Sequence, residues 1–134
     1  MNDYLRDTTV LIDLLNGKKG RDALLLQLLS DGHLLGCCGI NVTEVYAGMR
    51  PRERVKTDHR IESLQYFPVT RPIAKHAGEL KYEWARKGVT LSTADVTIAA
   101  VALAHELVLF TDNRKHYPMP ELQLFQEPGA ADRR

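Results

Sequence analysis

The chain has 134 residues, enough for one domain with a real core and too few for two. Apolar residues make up 44% and charged residues 26%, an ordinary globular mixture. A net charge of +1 excludes a global basic field, so a nucleic-acid partner would need a local basic patch. No apolar run is long enough to span a membrane, and "MNDYLRD" is not a signal peptide, which predicts a soluble, cytoplasmic protein. The only cysteines, Cys37 and Cys38, are adjacent. On a strand they point to opposite faces, so the expectation is two reduced packing residues rather than a bridge.

Taken in order, "YLRDTTV" reads as a short first strand and "VLIDLLNG" as a helix stopped at Gly17. "GRDALLLQLLSDG" has helical length and ends at Gly32. "HLLGCCGI" suits a second, buried strand. "NVTEVYAGM" is helical up to Pro51, and "RVKTDHRIESLQ" is a charged amphipathic helix. "YFPVT" resembles a third strand, with Pro68 favouring an edge. In "PIAKHAGELKYEWARKG", Ile73, Ala77, Leu80 and Trp84 fall on one helical face, and Gly88 is a natural stop. "STADVTIAAVALA" is a largely apolar helix, "LVLFTDN" a strand that turns abruptly polar, and "LQLFQ" a candidate last strand. Strands alternating with helices predict an α/β fold, one domain over 1–128 with a mainly parallel sheet of about five strands, and a frayed tail at 129–134.

In such sheets ligands bind beyond the carboxyl ends of the strands. Four acids fall there: Asp7 after the first strand, Glu44 after the second, Asp95 in the first turn of the apolar helix, and Asp112 after "LVLFT", with Asn113 beside it. Each has a plain alternative, because Asp and Asn cap helices and first-turn acids suit the helix dipole. Asn41 to Glu44 and Ser92 to Asp95 both have capping-box spacing. A cap need not face inward, however. Asp95 has Ile98, Ala99 and Ala102 on its own helical face. If the four acids converge, repulsion must raise some pKa values or recruit a cation. Carboxylates without His or Cys suit Mg²⁺ or Mn²⁺, which favours metal-assisted phosphodiester hydrolysis.

"RDTTVLIDLL", "NVTEVYAGM", "DVTIAAVALAHEL" and "LFTDNRKHYP" together resemble the four motifs of PIN-domain nucleases, most of all the VapC-type ribonuclease toxins. The resemblance implies an α/β/α sandwich, Mg²⁺- or Mn²⁺-dependent RNA cleavage, homodimerisation, and inhibition by a VapB-type antitoxin that docks in an apolar groove. It makes Asp7 and Asp95 the principal metal ligands and Glu44 the acid of the second motif. In the fourth motif, Thr111, Asp112 and Asn113, either Asp112 or Asn113 faces the metal. Thr8 and Thr111 are expected to supply hydroxyl contacts. Arg114, Lys115 and His116, beside the last acid, are candidates for holding the RNA backbone. His116 stands where an acid is often found, and Arg6 is unusual in a central first strand.

Arg50, Arg52, Arg54, Lys56, His59 and Arg60 form a second basic stretch, for which RNA contact and a merely solvated face weigh evenly. The five histidines include no HxxxH pair, "GKKG" is not a P-loop and no GxGxxG occurs, which leaves zinc, kinase and dehydrogenase readings without support. A receiver-like phosphotransfer domain would need an Asp after a middle strand, and "YFPVTRP" has none. A non-catalytic binding module on the same fold is the main competitor.

Overall fold

The computed structural model describes residues 3–15, 23, 27–28 and 30–125. Four strands form one parallel sheet: β1 (Tyr4–Arg6), β2 (Leu35–Cys38), β3 (Gln65–Phe67) and β4 (Val108–Phe110), in the order β3-β2-β1-β4. Among the described residues the fifth expected strand contributes a single bridge, Leu124 beside Leu109. Strand order reverses between β1 and β4, so the crevice beyond their carboxyl ends is the topological switch point. Asp7 and Thr111 are the residues that follow those two strands.

Among the described residues, the helices whose bounds are fixed are α1 (Thr8–Leu15), α2 (Gly39–Gly48), α3 (Arg54–Glu62), α4 (Arg71–Arg86) and α5 (Thr93–Ala104). They cover both sheet faces. Helix α5 is buried continuously from Val96 to Ala102 and joins the largest core cluster with Leu5, Cys38 and Leu109 of the sheet. Its small alanines let α4 approach closely. That helix adds Ile73, Ala77 and Leu80, with Trp84 half-buried at the margin, as the spacing predicted. Lys81 of α4 donates from Nζ to the Leu91 carbonyl, fixing the link that leads into α5. On the opposite face Cys37 packs with Leu11 and Val45. The two free, buried cysteines thus lie on different faces, as their adjacency required.

Several boundaries moved for identifiable reasons. The first strand ends at Arg6 because Asp7 caps α1, its Oδ1 accepting the Val10 N–H at 3.0 Å. Helix α2 begins at Gly39 rather than Asn41. Asn41 is therefore no cap but the third helical residue, and its Oδ1 accepts the Cys38 N–H at 2.8 Å. Strand β3 starts one residue early, at Gln65, and is an edge strand, with Pro68 just past its end. Gly36 of β2 admits Phe67, whose ring would stand 2.4 Å from any Cβ there. Gly32 and Gly88 have φ of +84° and +86°, the left-handed conformation that ends a helix. The stop at Gly17, most of "GRDALLLQLLSDG" and the tail at 129–134 lie outside the described residues.

Among the described residues, three charged side chains are buried: Arg6, Asp7 and Asp13. Asp13 lies three residues after fully buried Val10, on the stripe of α1 that faces the protein. Arg6 is 1% exposed, beneath the sheet face that carries Cys37, and its Nε and Nη2 have no hydrogen-bond partner among the described residues. Burial lowers its pKa to about 10 and raises that of Cys37 to about 11, each group partly offsetting the effect on the other.

Candidate active site

Asp7, Glu44 and Asp95 line one open cleft of about 300 Å³ at the switch point, with Thr8, Asn113 and Tyr117 also on its walls. Asp7 is the deepest acid, 4% exposed. Its backbone is fixed by its N–H donating to the Phe110 carbonyl at 3.1 Å, an extension of the β1–β4 pairing. Its carboxylate caps α1 through Oδ1, and Oδ2 accepts the Thr111 hydroxyl. Burial raises the Asp7 pKa, those two hydrogen bonds pull it down, and the charges of Asp112 and Asp95 raise it further. Asp7 is thus both a cap and a buried acid in a negative pit.

Asp95 answers differently to the same question. Ser92 caps α5 by accepting the Asp95 N–H at 3.0 Å. The reciprocal half of a capping box would turn the carboxylate back to the Ser92 amide. Instead Asp95 Oδ1 accepts the Tyr117 hydroxyl at 3.2 Å, and Oδ2 stands 3.3 Å from His116 Nδ1. The acid on the apolar stripe points into the cleft above Ile98, not onto its own helix end.

Glu44 sits in the second turn of α2, because the helix starts early, and its side chain is exposed at the mouth. Thr8 donates to its Oε1 at 2.5 Å and accepts from Asn41 Nδ2 at 3.3 Å, so an Asn41–Thr8–Glu44 chain forms that side. The fourth motif is divided. Asn113 lines the cleft and Asp112 does not, although the Asp112 charge still acts on Asp7. The Thr111 hydroxyl accepts the Asn113 N–H at 2.9 Å while donating to Asp7. Arg114, Lys115 and His116 form a short 3-10 turn; His116 lines the cleft, and the other two are exposed beside it. Arg50, Arg52, Arg54, Lys56, His59 and Arg60 contribute nothing to its walls.

Sequence reasoning passed over Asn41 and Tyr117. Asn41 was mistaken for a cap, and Tyr117 carried no signal beyond its place after the basic turn. Burial raises the Tyr117 pKa strongly, with the Asp95 and Asp7 charges adding to it.

Of the four acids, Asp7, Glu44 and Asp95 share the cleft, and Asp112 lies outside its walls. Among the described residues, no three His, Cys, Asp or Glu side chains are grouped so as to hold a metal ion. Each acid in the cleft has turned to a hydrogen-bond donor. A Mg²⁺ ion, however, takes one or two carboxylates and keeps several waters. The chemistry of the donors fits that requirement: two aspartates, a glutamate and an amide around an open cleft, with the deepest acid already resisting ionisation chiefly because it is buried, and further because of the Asp112 and Asp95 charges.

A parallel α/β domain with aspartates at the ends of β1 and α5, meeting at the switch point, defines a narrow class. The family model for the PIN domain matches residues 4–122, and the chain belongs to that family. It is 31% identical to Ribonuclease VapC19 of Mycobacterium tuberculosis over 122 residues, 89% of this chain and 96% of that protein. Ribonuclease VapC10 of the same organism is 32% identical over 117 residues, 87% of each. Among solved structures, VapBC2 from Rickettsia felis bound to a promoter DNA fragment superposes with a TM-score of 0.80 at 24% identity, covering 92% of this chain and 97% of that one. A toxin–antitoxin complex from Klebsiella pneumoniae gives 0.72 at 25% identity, covering 89% and 94%. No helix among the described residues is long and apolar enough to cross a membrane.

Proposed function

We propose that this chain is a Mg²⁺- or Mn²⁺-dependent endoribonuclease acting as the toxin of a toxin–antitoxin pair. The observation that carries the reading is the meeting of Asp7 and Asp95, 88 residues apart in the chain, in one cleft at the switch point. The names of the relatives support the substrate class, and the family supports the metal.

In this reading Asp7 and Asp95 hold the ion directly or through water. A divalent ion there lowers the pKa of a bound water and stabilises charge on a phosphoryl oxygen. Glu44, kept at the mouth by Thr8, accepts a hydrogen bond from the attacking water and orients it toward phosphorus. Asn113 offers an amide on the cleft wall, and Thr111 keeps Asp7 turned toward the cleft. Arg114 and Lys115 lie beside the opening, where the RNA backbone would pass. No side-chain nucleophile is needed. A VapB-type antitoxin and a second copy of the chain are the partners the family suggests, and two reduced thiols suit a cytoplasmic setting.

Cleavage of RNA by the purified chain in Mg²⁺ or Mn²⁺, lost in EDTA and lost in Asp95→Asn, is the expected result. Undiminished cleavage by Asp95→Asn sinks the assigned chemistry. A second reading, a PIN-fold binding module without turnover, draws on the acids being already hydrogen-bonded and not grouped in threes. RNA retention in EDTA with no cleavage in either metal would establish it.

A further inference from the structure

We propose that Tyr117 is a positioning residue that fixes the Asp95 carboxylate for metal binding, and that the segment Thr111–Tyr117 thereby sets the spacing of the two principal acids. The inference rests on the metal-dependent reading above and assigns the segment a task within it.

Three observations carry it. The segment grips both acids, Thr111 donating to Asp7 Oδ2 and Tyr117 donating to Asp95 Oδ1. It is also tied to itself between those two points. The Thr111 hydroxyl accepts the Asn113 N–H, the Asn113 carbonyl accepts the His116 N–H at 2.9 Å, and the Arg114 carbonyl accepts the Tyr117 N–H at 3.0 Å. Finally, Tyr117 is 3% exposed and belongs to the main core cluster, so packing fixes where its hydroxyl lies. His116 also meets Asp95, but its side chain is 55% exposed and has no comparable packing. Tyr117 is the rigid arm, and a metal site needs its carboxylates held to within about half an ångström.

Without the hydroxyl, Asp95 can turn about its last torsion, as a terminal carboxylate does freely. A group that orients a metal ligand in this way typically contributes about 10- to 100-fold in metal affinity. Tyr117→Phe keeps the ring and removes only the donor. The test is Mn²⁺ titration of the full chain by calorimetry for wild type, Tyr117→Phe and Asp95→Asn, beside melting curves without metal. We expect Tyr117→Phe to weaken Mn²⁺ binding at least about 10-fold, with the melting temperature nearly unchanged. At saturating Mn²⁺, KM for RNA should hold while kcat falls. If Asp95→Asn abolishes Mn²⁺ binding and Tyr117→Phe leaves it intact, the positioning role is overturned and the metal reading survives. If Asp95→Asn binds Mn²⁺ like the wild type, the metal reading fails and this inference fails with it. If Tyr117→Phe loses Mn²⁺ binding only together with a large fall in melting temperature, the hydroxyl serves the stability of the fold and not the alignment of Asp95, which also overturns the proposal.

Discussion

Asp7 and Asp95 face each other across one cleft, yet they are held there by different means. Asp7 is held by what lies next to it in the sheet and the chain: the β1–β4 pairing, the first turn of α1, and the Thr111 hydroxyl at the end of the neighbouring strand. Its position follows almost entirely from backbone geometry. Asp95 is half-exposed and is held by side chains that arrive from 21 and 22 residues later. One wall of the site is therefore backbone-built and stiff, and the other depends on a turn that must fold correctly elsewhere. A buried acid with a raised pKa is a cost to the metal-free fold, whereas an acid at the cleft surface is a matter of alignment.

Removing charge from either wall should have the largest consequence. Asp7→Asn and Asp95→Asn are each expected to lower kcat/KM for RNA by more than about 100-fold, beyond what the loss of a mere supporting partner produces. Equal, mild losses of a few-fold in both would mean that neither acid holds the ion.

The same pair should separate in stability. The folded Asp7 pKa lies above its ordinary 3.8, so the native state binds more protons than the unfolded state between those two values. Ionised Asp7 then destabilises the fold at neutral pH. This penalty fades as pH falls through the raised value and is gone below 3.8. Asp7→Asn should accordingly melt higher than wild type at pH 7 without metal, with the gap closing in acid. Denaturant titrations across pH 3–8 would measure it, and a gap that widens in acid reverses the sign argument.

Next in size is Arg6, whose guanidinium is buried with two nitrogens unpaired among the described residues, on the sheet face away from the main core. Replacing buried charge with apolar volume is often stabilising by about 1–4 kcal/mol. Arg6→Leu should raise the unfolding free energy from denaturant titration by an amount within that range while RNA cleavage persists. A large fall in stability would mean that the guanidinium has a partner in the assembled protein.

The smallest effect concerns the fourth motif. Asn113→Ala should reduce cleavage about 10-fold, and Asp112→Ala less, since only Asn113 lines the cleft. The reverse ranking, measured at saturating Mn²⁺, would move the ligand to Asp112 and require the turn to rearrange.

The parallel α/β pattern was written locally. Apolar runs of strand length, glycines at Gly32 and Gly88, the single stripe of α4 and the uniformly apolar α5 all act through nearest neighbours and helical or strand periodicity, which sequence displays directly. The placement of Asp7 and Asp95 at strand and helix ends was legible for the same reason. The strand count was less so, since "LQLFQ" has the pattern of a strand but pairs through one residue. Asn41 and Ser92 sat in identical capping spacing, yet only Ser92 caps, because α2 begins two residues earlier than its motif suggests. Arg6 stood out in the sequence as a charge in a central strand, but its burial with two nitrogens unpaired among the described residues required the helices above it.

From the order of residues alone came which acids the chain has, where strands give way to helices, and which family's motifs they resemble, because these depend on covalent spacing and short-range propensity. Only the folded molecule decided that Asp95 turns to Tyr117 instead of its own helix end, that Asn113 rather than Asp112 faces the cleft, and that Asp7 is deep enough to resist ionisation. Those outcomes depend on burial and on partners distant in the chain, and a carboxylate's surroundings are set by every segment that packs around it.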